Sequence, residues 1–595
     1  MGHKLDRIMY DISVIYIALP VFIFLAGWLR LVAAIPVCAV FLVSVFLMMK
    51  NRPEPVAWHL TKAQWRGIIA SLILLAIWVF LSGQGGFSFQ NSDYQYRNAI
   101  FRDLINKSWP VIYANSSLDA VSSSIAGASN LSILTYYIAF WLPGALVGKL
   151  FGWYAANTFL YLWSFLGLVL ITYFLFRTLR NSSVWSVIIL IFFSGMDIIG
   201  YILITKGKLP GPIDHIEWWS GMQYSSNTTL LFWVFNQTIA IWLAILLIMN
   251  LKNSRSLFFL YAMLLLHGPF PFLGMLPIVL WKAYQGYPLD LKRKNAKMVN
   301  VPALFFRWFW KGVVRAITFE NICGGISVLL IVYFYLTNNV SGSKYGTNAQ
   351  TTNYIGLVVL EGGLYLLFLF AEHFKKPLYW ICLGSLFLIP LFRVGGSQDF
   401  CMRVSIPALF VIMIMIQQSL LGKADPETAA ETAAIPAAAE APVRDAETPV
   451  RDAEEPEWRA AAPEWDAEAR VRVSLIPDAP NRTVLTKGEK KLVHTILIIF
   501  LLIGSVVPIQ EISRSVVYTL PAYSATKSAM ISVGTALRDS GNPLFVSAGN
   551  SILEQSQYGR TWSDSIKTLD KNGASSENFI GPVQDNIFCE FFARQ

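Results

Sequence analysis

Charged residues are scarce in this sequence, and their scarcity excludes an ordinary soluble fold. Only 14% of the 595 residues are Asp, Glu, Lys or Arg, whereas 55% are hydrophobic. Soluble domains carry about 25% charged residues. Apolar runs of roughly 20 residues, the length that crosses a bilayer as a helix, recur along most of the chain. We therefore predict an all-α, polytopic bundle of transmembrane helices rather than a soluble domain with a single anchor.

Cysteine and the motifs of soluble enzymes are also sparse. The five cysteines show no metal-ligand spacing, although Cys401 and Cys589 are both expected outside the cytoplasm, where a disulfide could form. There is no Walker loop, no HExxH motif and no GxSxG motif with a plausible triad, which argues against an ATP-driven pump. No motif requires a cofactor. A divalent metal is compatible with the sequence without being indicated by it.

The apolar runs predict about thirteen spans. They lie at 8–29, 31–49, 67–83, 131–151, 156–176, 183–204, 229–250, 256–283, 322–337, 355–372, 378–393, 403–421 and 491–508. The run at 256–283 is unusual because it contains the sequence HGPFP at 267–271 and has basic residues on both flanks. These features predict two half-helices that meet at the Pro-rich break, with both outer ends in the cytoplasm.

The Lys and Arg content of the loops sets the predicted orientation. The net charge of +10 does not indicate a nucleic-acid partner, because the basic residues fall mainly in these short loops. The basic segments assigned to the cytoplasm are 50–66, 251–255, 284–315, 373–376 and 487–491. The segments then placed outside are 84–130, 205–228, 338–354, 394–402 and 509–595. We expect a multi-pass protein of a bacterial plasma membrane whose active face is outside.

The number of membrane crossings between residues 131 and 176 is not decided by the sequence. Arg177 and Arg180 should be cytoplasmic, but two full crossings between 131 and 176 would place them outside. Whether this region crosses the membrane once or twice therefore stays open.

Four units are predicted: a transmembrane module (1–421), a disordered cytoplasmic insert rich in Ala, Glu and Pro (422–490), a last span (491–508), and an extracytoplasmic tail or small cap (509–595).

The first candidate site follows the third span. Residues 96–110 have helical periodicity, which predicts a short helix on the membrane surface with Asp93 in the turn before it. A carboxylate at the mouth of a membrane cavity can act as a general base towards a hydroxyl acceptor. Arg97 and Arg102 could hold a phosphate through paired hydrogen bonds. The alternative is that Asp93 caps the helix and the arginines meet lipid headgroups.

Two further polar clusters are expected on the same side. One contains Asp197, Glu217, Trp218, Gln223 and Asn227, and it could bind a sugar or acceptor, since tryptophan stacks on sugar rings and amides and carboxylates bond hydroxyls. Its alternative is an aromatic belt at the membrane interface with a polar helix cap.

The other cluster is the turn with Arg393, Asp399 and Arg403, where a phosphate could dock on either arginine. Its alternative is a local Asp–Arg pair that holds the turn. Glu361, deep in an apolar run, is a weaker candidate.

An aspartate in the first large outer loop, next to a surface helix and followed by many spans, resembles the GT-C superfamily of integral-membrane glycosyltransferases. The run YYIAFWLP at 136–143, followed by KLFG at 149–152, is similar to the stretch after that loop in bacterial members. The resemblance implies a GT-C-like bundle and transfer of a sugar from a polyprenyl-phosphate-linked donor, with Asp93 as base or acceptor-orienting group. Many members have an adjacent acidic pair in this loop, whereas here Asp93 and Asp103 stand apart.

The leading hypothesis is therefore a membrane glycosyltransferase that moves a sugar to a polysaccharide, glycolipid or protein of the cell envelope. Arg97, Arg393 and Arg403 would bind the donor phosphate. Three alternatives remain: a lipid or polysaccharide transporter or flippase, an O-antigen-type polymerase or ligase, and a non-catalytic membrane scaffold.

Overall fold

The structure is a computed structural model, and most of the chain is described in it. The described residues are 2–56, 58, 61–114, 131–211, 214–285, 301–339, 345–347, 353–394, 399–422, 485–524, 533, 535–540, 545–546, 549, 565–566, 578–584 and 586–594. The predicted insert at 422–490 falls almost wholly outside them.

The described residues are mostly helical. The helices are α1 (Gly2–Trp28), α2 (Leu31–Lys50), α3 (Lys62–Leu81), α4 (Tyr94–Asn106), α5 (Leu142–Leu179), α6 (Val184–Phe192), α7 (Asp197–Ile204), α8 (Asn227–Trp233), α9 (Phe235–Asn250), α10 (Leu257–His267), α11 (Pro269–Tyr284), α12 (Val301–Ala316), α13 (Ser327–Leu336), α14 (Tyr354–Val358), α15 (Leu364–His373), α16 (Pro377–Leu388), α17 (Asp399–Val404), α18 (Ile406–Leu421), α19 (Lys487–Gly504) and α20 (Val506–Ser524). Three π-helical turns occur at Glu320–Ile326, Val359–Gly363 and Phe588–Phe592. The strands are β1 (Ile112–Ala114), β2 (Leu131–Leu134), β3 (Tyr345–Thr347), β4 (Phe392–Val394) and β5 (Ile580–Pro582).

Within the described residues, seven helices are long and apolar enough to cross a membrane, or eight if a bent pair after residue 309 counts as one span. They cover His3–Trp28, Leu31–Lys50, Lys62–Leu81, Ala139–Leu179, Val184–Ile204, Tyr354–His373 and Lys487–Thr519. Four more apolar helices are shorter than a full span. The chain is thus consistent with a multi-pass membrane protein, but thirteen spans are not confirmed. Composition alone does not show where an apolar run breaks into short helices, so the count of thirteen stays a prediction.

Arg177 marks one end of the helix bundle. Its Nη1 forms an ion pair with Asp6, its Nε donates to Oδ1 of Asn250 over 2.9 Å, and its Nη2 donates to the carbonyl of Glu54 over 2.8 Å. The start of α1, the loop at 50–66, the end of α9 and the end of α5 therefore meet at this end, and the charge pattern assigns the loop at 50–66 to the cytoplasm. We call it the Arg177 end, and the opposite end, where α4 lies, the Asp93 end.

The open question between residues 131 and 176 has a structural answer. Residues 131–134 form strand β2 instead of beginning a span, and α5 contains a break at Gly152, whose φ of +83° favours glycine. Before this break α5 packs on α4, with Nζ of Lys149 donating to the carbonyl of Ile105 over 3.2 Å. Only the part after Gly152 runs to Arg177. One candidate span, Ala139–Leu179, therefore takes the place of the two predicted runs, and its part after Gly152 connects the two ends.

The predicted half-helices at 256–283 are present as α10 and α11. They fold back on each other at Gly268, so that the rings of Tyr261 and Phe272 stack with centroids 4.0 Å apart. Nζ of Lys282 lies 3.5 Å from the carbonyl of Met249, near the Arg177 end. We call this pair the re-entrant hairpin.

The Asp93 end carries a small antiparallel sheet in the order β1-β2-β5, which joins the C-terminal segment to the loop after α4. Nε of Arg30 also donates to the carbonyl of Ala593 over 2.9 Å. The described part of 509–595 thus forms a cap at this end. The cap and α5 together cover α4: Asp103 contacts Ser565 and Ile566 of the cap, and Ile100 and Leu104 are fully buried.

Candidate functional site

Asp93 and Arg97 form an ion pair at the start of α4. Nη2 of Arg97 donates to Oδ2 of Asp93 over 2.8 Å, the contact expected four residues apart on a helix. Asp93 stands at the N-cap position, but its side chain makes no capping hydrogen bond. The capping alternative for Asp93 is therefore not observed. The arginine side chain is 8% exposed and the aspartate side chain 44% exposed, so the carboxylate closes the open side of a buried cation.

Asp399 and Arg403 repeat the same arrangement on α17. Nη2 of Arg403 donates to Oδ2 of Asp399 over 2.8 Å, with the arginine 13% and the aspartate 44% exposed. The local Asp–Arg pair that was the alternative interpretation of this turn is thus present. It is not the whole arrangement, because Nη1 of Arg403 donates to the hydroxyl of Tyr137 over 2.6 Å.

Tyr136 and Tyr137 connect the two ion pairs. Their ring centroids are 3.7 Å apart and their hydroxyls are hydrogen-bonded. Burial raises the pKa of Tyr136 well above its ordinary value, while the positive charges of Arg403 and Arg97 act to lower it. Burial acts to lower the pKa of Arg403, but nearby anionic and phenolic groups, including Asp93, raise it above its ordinary value. The ring contacts agree: Phe235, which lies under the guanidinium of Arg97, also meets Trp141, and the ring centroid of Trp141 is 6.2 Å from that of Tyr136.

Nearby apolar residues fix these side chains. The guanidinium of Arg97 lies over the ring of Phe235 at the start of α9, with its carbon 5.1 Å from the ring centroid. The ring of Phe579 in the cap lies against Tyr136, with centroids 4.9 Å apart. Phe270 at the tip of the re-entrant hairpin meets Phe400 on α17, at 5.5 Å. The site is therefore assembled from α4, α9, α17, the hairpin and the cap.

The arrangement is suited to an anion. Nη1 of Arg97 and Nε of Arg403 belong to the buried polar atoms that have no hydrogen-bond partner in the described part of the chain. Buried polar groups are nearly always satisfied, so an unsatisfied donor on each of two buried cations points to a missing acceptor. Guanidinium groups match phosphate oxygens in geometry and charge. A phosphate that reached both arginines would compete with the two half-exposed carboxylates for their N–H groups.

Two other arginines are placed differently. Arg393 lies on β4, opposite Gly346 of β3, on the segment that leads towards α17. The guanidinium of Arg102 stacks on Trp153, with its carbon 4.3 Å from the ring centroid. The structure brings Arg97 and Arg403 to the tyrosine pair and shows no described contact of Arg393 with it.

Glu217 organises the second predicted cluster from within. Its carboxylate is fully buried and accepts hydrogen bonds of 2.7 to 2.9 Å from Nε2 of Gln223, Oγ of Ser225, the amide of Ser226 and Oγ1 of Thr229. Burial raises the pKa of Glu217, although these bonds and His215 act against the rise. Because both oxygens of its carboxylate accept hydrogen bonds from residues 223–229, Glu217 fixes the conformation of the loop that leads into α8.

The remaining members of this cluster have separate partners. Trp218 is 63% exposed and donates from Nε1 to Oε1 of Gln223 over 2.8 Å. Nδ2 of Asn227 donates to the carbonyl of Leu190 over 2.9 Å. None of these residues has a described contact with Arg97 or Arg403. The sugar-binding interpretation of the cluster stays a prediction, and Trp218 is its most accessible member.

Asp197 and Glu361 form a buried carboxyl pair. Each is 1% exposed, and Oδ1 of Asp197 and Oε2 of Glu361 are buried without a hydrogen-bond partner within the described ranges. Nε1 of Trp219 donates to Oε1 of Glu361 over 3.0 Å, and Oγ of Ser194 donates to Oδ2 of Asp197 over 3.2 Å. Gly195 permits this approach, because a Cβ there would collide with Glu361. Neither carboxyl has a basic partner among the described residues, so two acidic groups are buried together here without a neutralising cation.

The sequence did not single out Tyr136 and Tyr137 as site residues. Two adjacent tyrosines before an apolar run are also typical of a membrane interface, so the local signal is weak. Their role follows from the fold of β2 and α17, which are far apart in sequence.

The described residues contain no group of three or more His, Cys, Asp or Glu side chains that could hold a metal ion. Cys401 and Cys589 are both free thiols, so the disulfide considered from their expected location is not formed. The chain matches no family model, no curated protein and no solved structure.

Proposed function

We propose that the chain is a GT-C-like membrane glycosyltransferase that moves a sugar from a polyprenyl-phosphate-linked donor to an envelope acceptor on the extracytoplasmic face. The observation that carries the proposal is the convergence of Arg97 and Arg403 on the tyrosine pair. Two buried cations, each with an unsatisfied donor, suit the phosphate of a lipid carrier at the end of a helix bundle.

In this proposal each side chain has a distinct task. Arg97 and Arg403 bind the donor phosphate and stabilise negative charge as the sugar leaves. Tyr137 holds Arg403 in place through its hydroxyl. Asp93 takes the proton from the acceptor hydroxyl, for which its half-exposed carboxylate is accessible. Phosphate binding to Arg97 would loosen the Asp93–Arg97 contact and free the carboxylate for this step.

A transporter or flippase is the second candidate. The buried Asp197–Glu361 pair and the re-entrant hairpin favour it, because ionisable groups and broken helices inside a bilayer occur where substrates or ions move. The two candidates differ in chemistry: a transferase breaks the sugar–phosphate bond, and a flippase leaves it intact.

The test is a transfer assay with purified protein in lipid nanodiscs and undecaprenyl-phosphate donors that carry radiolabelled sugars. We expect sugar release from at least one donor, and a loss of about 100-fold or more in kcat for Asp93→Asn, because general-base catalysis contributes at least that factor. Asp11→Asn is the matched control, since Asp11 pairs with Arg52 at 3.5 Å near the Arg177 end. Full turnover by Asp93→Asn would show that Asp93 is not the general base. Transport of the intact lipid-linked sugar without sugar release would favour the flippase.

A further inference from the structure

Helix α12 lies across the Arg177 end of the bundle. It is bent by 79° from the helical segment that follows it, Glu320–Leu336. The turn between them is fixed to the loop after α9: Oγ1 of Thr318 donates to the carbonyl of Arg255 over 2.7 Å, and Nε of Arg255 lies 3.4 Å from Oε1 of Glu320. The C-terminal end of α12 is therefore anchored at the end of the bundle rather than inside it.

A second contact holds the middle of α12. The hydroxyl of Tyr284, at the end of α11, donates to the carbonyl of Phe309 over 3.2 Å. Gly312 lies directly against the ring of Tyr284, where a Cβ would collide with it. The two anchors set the direction of α12 along the end of the bundle.

One face of α12 is apolar and exposed. Phe306, Phe309, Trp310 and Val314 are 65%, 43%, 55% and 50% exposed. Their spacing places them on one side of the helix, and the described residues leave that side uncovered. Exposing four large apolar side chains on one helix face to water is unfavourable in free energy. Such a face therefore marks a surface that contacts another apolar phase.

The adjacent face is basic. Lys311 and Arg315 are both exposed and lie four residues apart, beside the apolar face. The sequence just before α12 is also basic, with Lys292, Arg293 and Lys294. An amphipathic helix with an apolar face and flanking cations is typical of a helix that lies in a membrane interface. The cations suit anionic lipid headgroups in particular.

We propose that α12 is an interfacial helix that binds anionic lipid headgroups through Lys311 and Arg315 and inserts its apolar face among the acyl chains. The occupant is lipid rather than a second protein copy, because the helix lies along the end of a membrane-spanning bundle and carries the charge that complements an anionic surface. This inference is independent of the proposed glycosyltransferase activity.

The first experiment identifies what covers the apolar face. The photo-crosslinking residue p-benzoylphenylalanine replaces Trp310 in one variant and Val314 in another, in nanodiscs of phosphatidylcholine with phosphatidylglycerol. We expect mass spectrometry to find lipid adducts at both positions. Crosslinks to a second copy of the chain, or crosslinks within one chain only, would overturn the proposal.

The second experiment tests the headgroup. The retention of phosphatidylglycerol on the purified protein is compared between the wild type and the double variant Lys311→Glu/Arg315→Glu. A surface cation contributes about 1 kcal/mol, or about fivefold, to binding an anionic membrane surface, so we expect a loss of about 25-fold. The charge reversal Lys208→Glu, at an exposed position near the Asp93 end, is the matched control. Equal retention by the double variant and the control would contradict anionic-lipid binding.

Discussion

The Nη1 group of Arg403 donates a hydrogen bond of 2.6 Å to the hydroxyl of Tyr137, which lies 266 residues earlier in the chain. This contact joins the turn before α18 to the loop after β2. Through Tyr136, whose hydroxyl contacts that of Tyr137, it also reaches the charge of Arg97. The candidate anion site therefore depends on a contact between distant segments.

We predict that Tyr137→Phe weakens donor binding without abolishing the reaction. The substitution removes the hydrogen bond from the charged Arg403, which contributes about 1.5–3 kcal/mol, together with the bond from the Tyr136 hydroxyl, and it leaves the ring stack with Tyr136 in place. The expected result is a rise in KM of about tenfold or more with a smaller change in kcat. If Tyr137→Phe and Arg403→Gln have fully additive effects in a double-mutant cycle, the two residues do not act together.

Asp103 should anchor the cap rather than take part in chemistry. Its Oδ2 accepts hydrogen bonds from the hydroxyl of Tyr113 at 2.7 Å, Oγ of Ser565 at 3.0 Å and the amide of Ile566 at 3.0 Å. Burial raises its pKa, and these bonds partly oppose the rise. Removing the carboxylate leaves buried donors without an acceptor, at a cost of about 1–3 kcal/mol for each.

We expect Asp103→Ala to expose the segment after residue 524 to limited proteolysis, with Asp539→Asn as an exposed control. Unchanged protection in Asp103→Ala would show that other contacts hold the cap.

His215 should make stability depend on pH. Burial acts to lower its pKa, but the hydrogen bond of its Nδ1 to Glu511 at 3.1 Å and the charges of Glu511 and Glu217 raise it above 6.5, although Arg514 opposes them. A folded pKa above the unfolded value gives stability that is fully present below about pH 6.5 and is lost as the pH rises through the folded value.

The expected outcome is that His215→Gln lowers Tm more at about pH 6 than at higher pH, where the stabilisation from the charged imidazole is lost. The difference in Tm from the wild type, measured across this range in the same nanodiscs, is the readout. A constant or growing difference towards high pH would contradict a charged His215–Glu511 pair.

The Asp197–Glu361 pair should hold a proton at neutral pH, because two neighbouring buried carboxylates without a basic partner among the described residues would repel each other. We predict a carbonyl stretching band of a protonated carboxylic acid in the infrared spectrum at neutral pH, and its loss in Glu361→Gln. The control Glu590→Gln changes an exposed carboxylate and should leave the band intact. A wild-type spectrum without this band would show that both groups are ionised.

The parts of the structure that depend on local spacing were predictable. Asp93 and Arg97, like Asp399 and Arg403, are four residues apart, so their ion pairs follow from helix geometry once the helices are known. The re-entrant hairpin could be predicted because the prolines at 269 and 271 and the basic flanks are local signals.

Long-range packing was not predictable. The burial of α4 depends on a C-terminal segment that returns to pair with β2, and no local pattern in that segment shows this pairing. The crossing between 131 and 176 was undecided because composition does not reveal that Gly152 breaks α5. Tyr137 was missed for the same reason, since its partner Arg403 is brought to it only by tertiary contacts.

The central claim is that Arg97 and Arg403 together bind the phosphate of a lipid-linked donor, and a structure with bound undecaprenyl-phosphate sugar tests it most directly. The account predicts phosphate oxygens within hydrogen-bond distance of both guanidinium groups, with the Asp93 carboxylate turned away from Arg97 towards the acceptor side. A phosphate bound elsewhere, or at the Arg177 end, with both Asp–Arg pairs intact would contradict it.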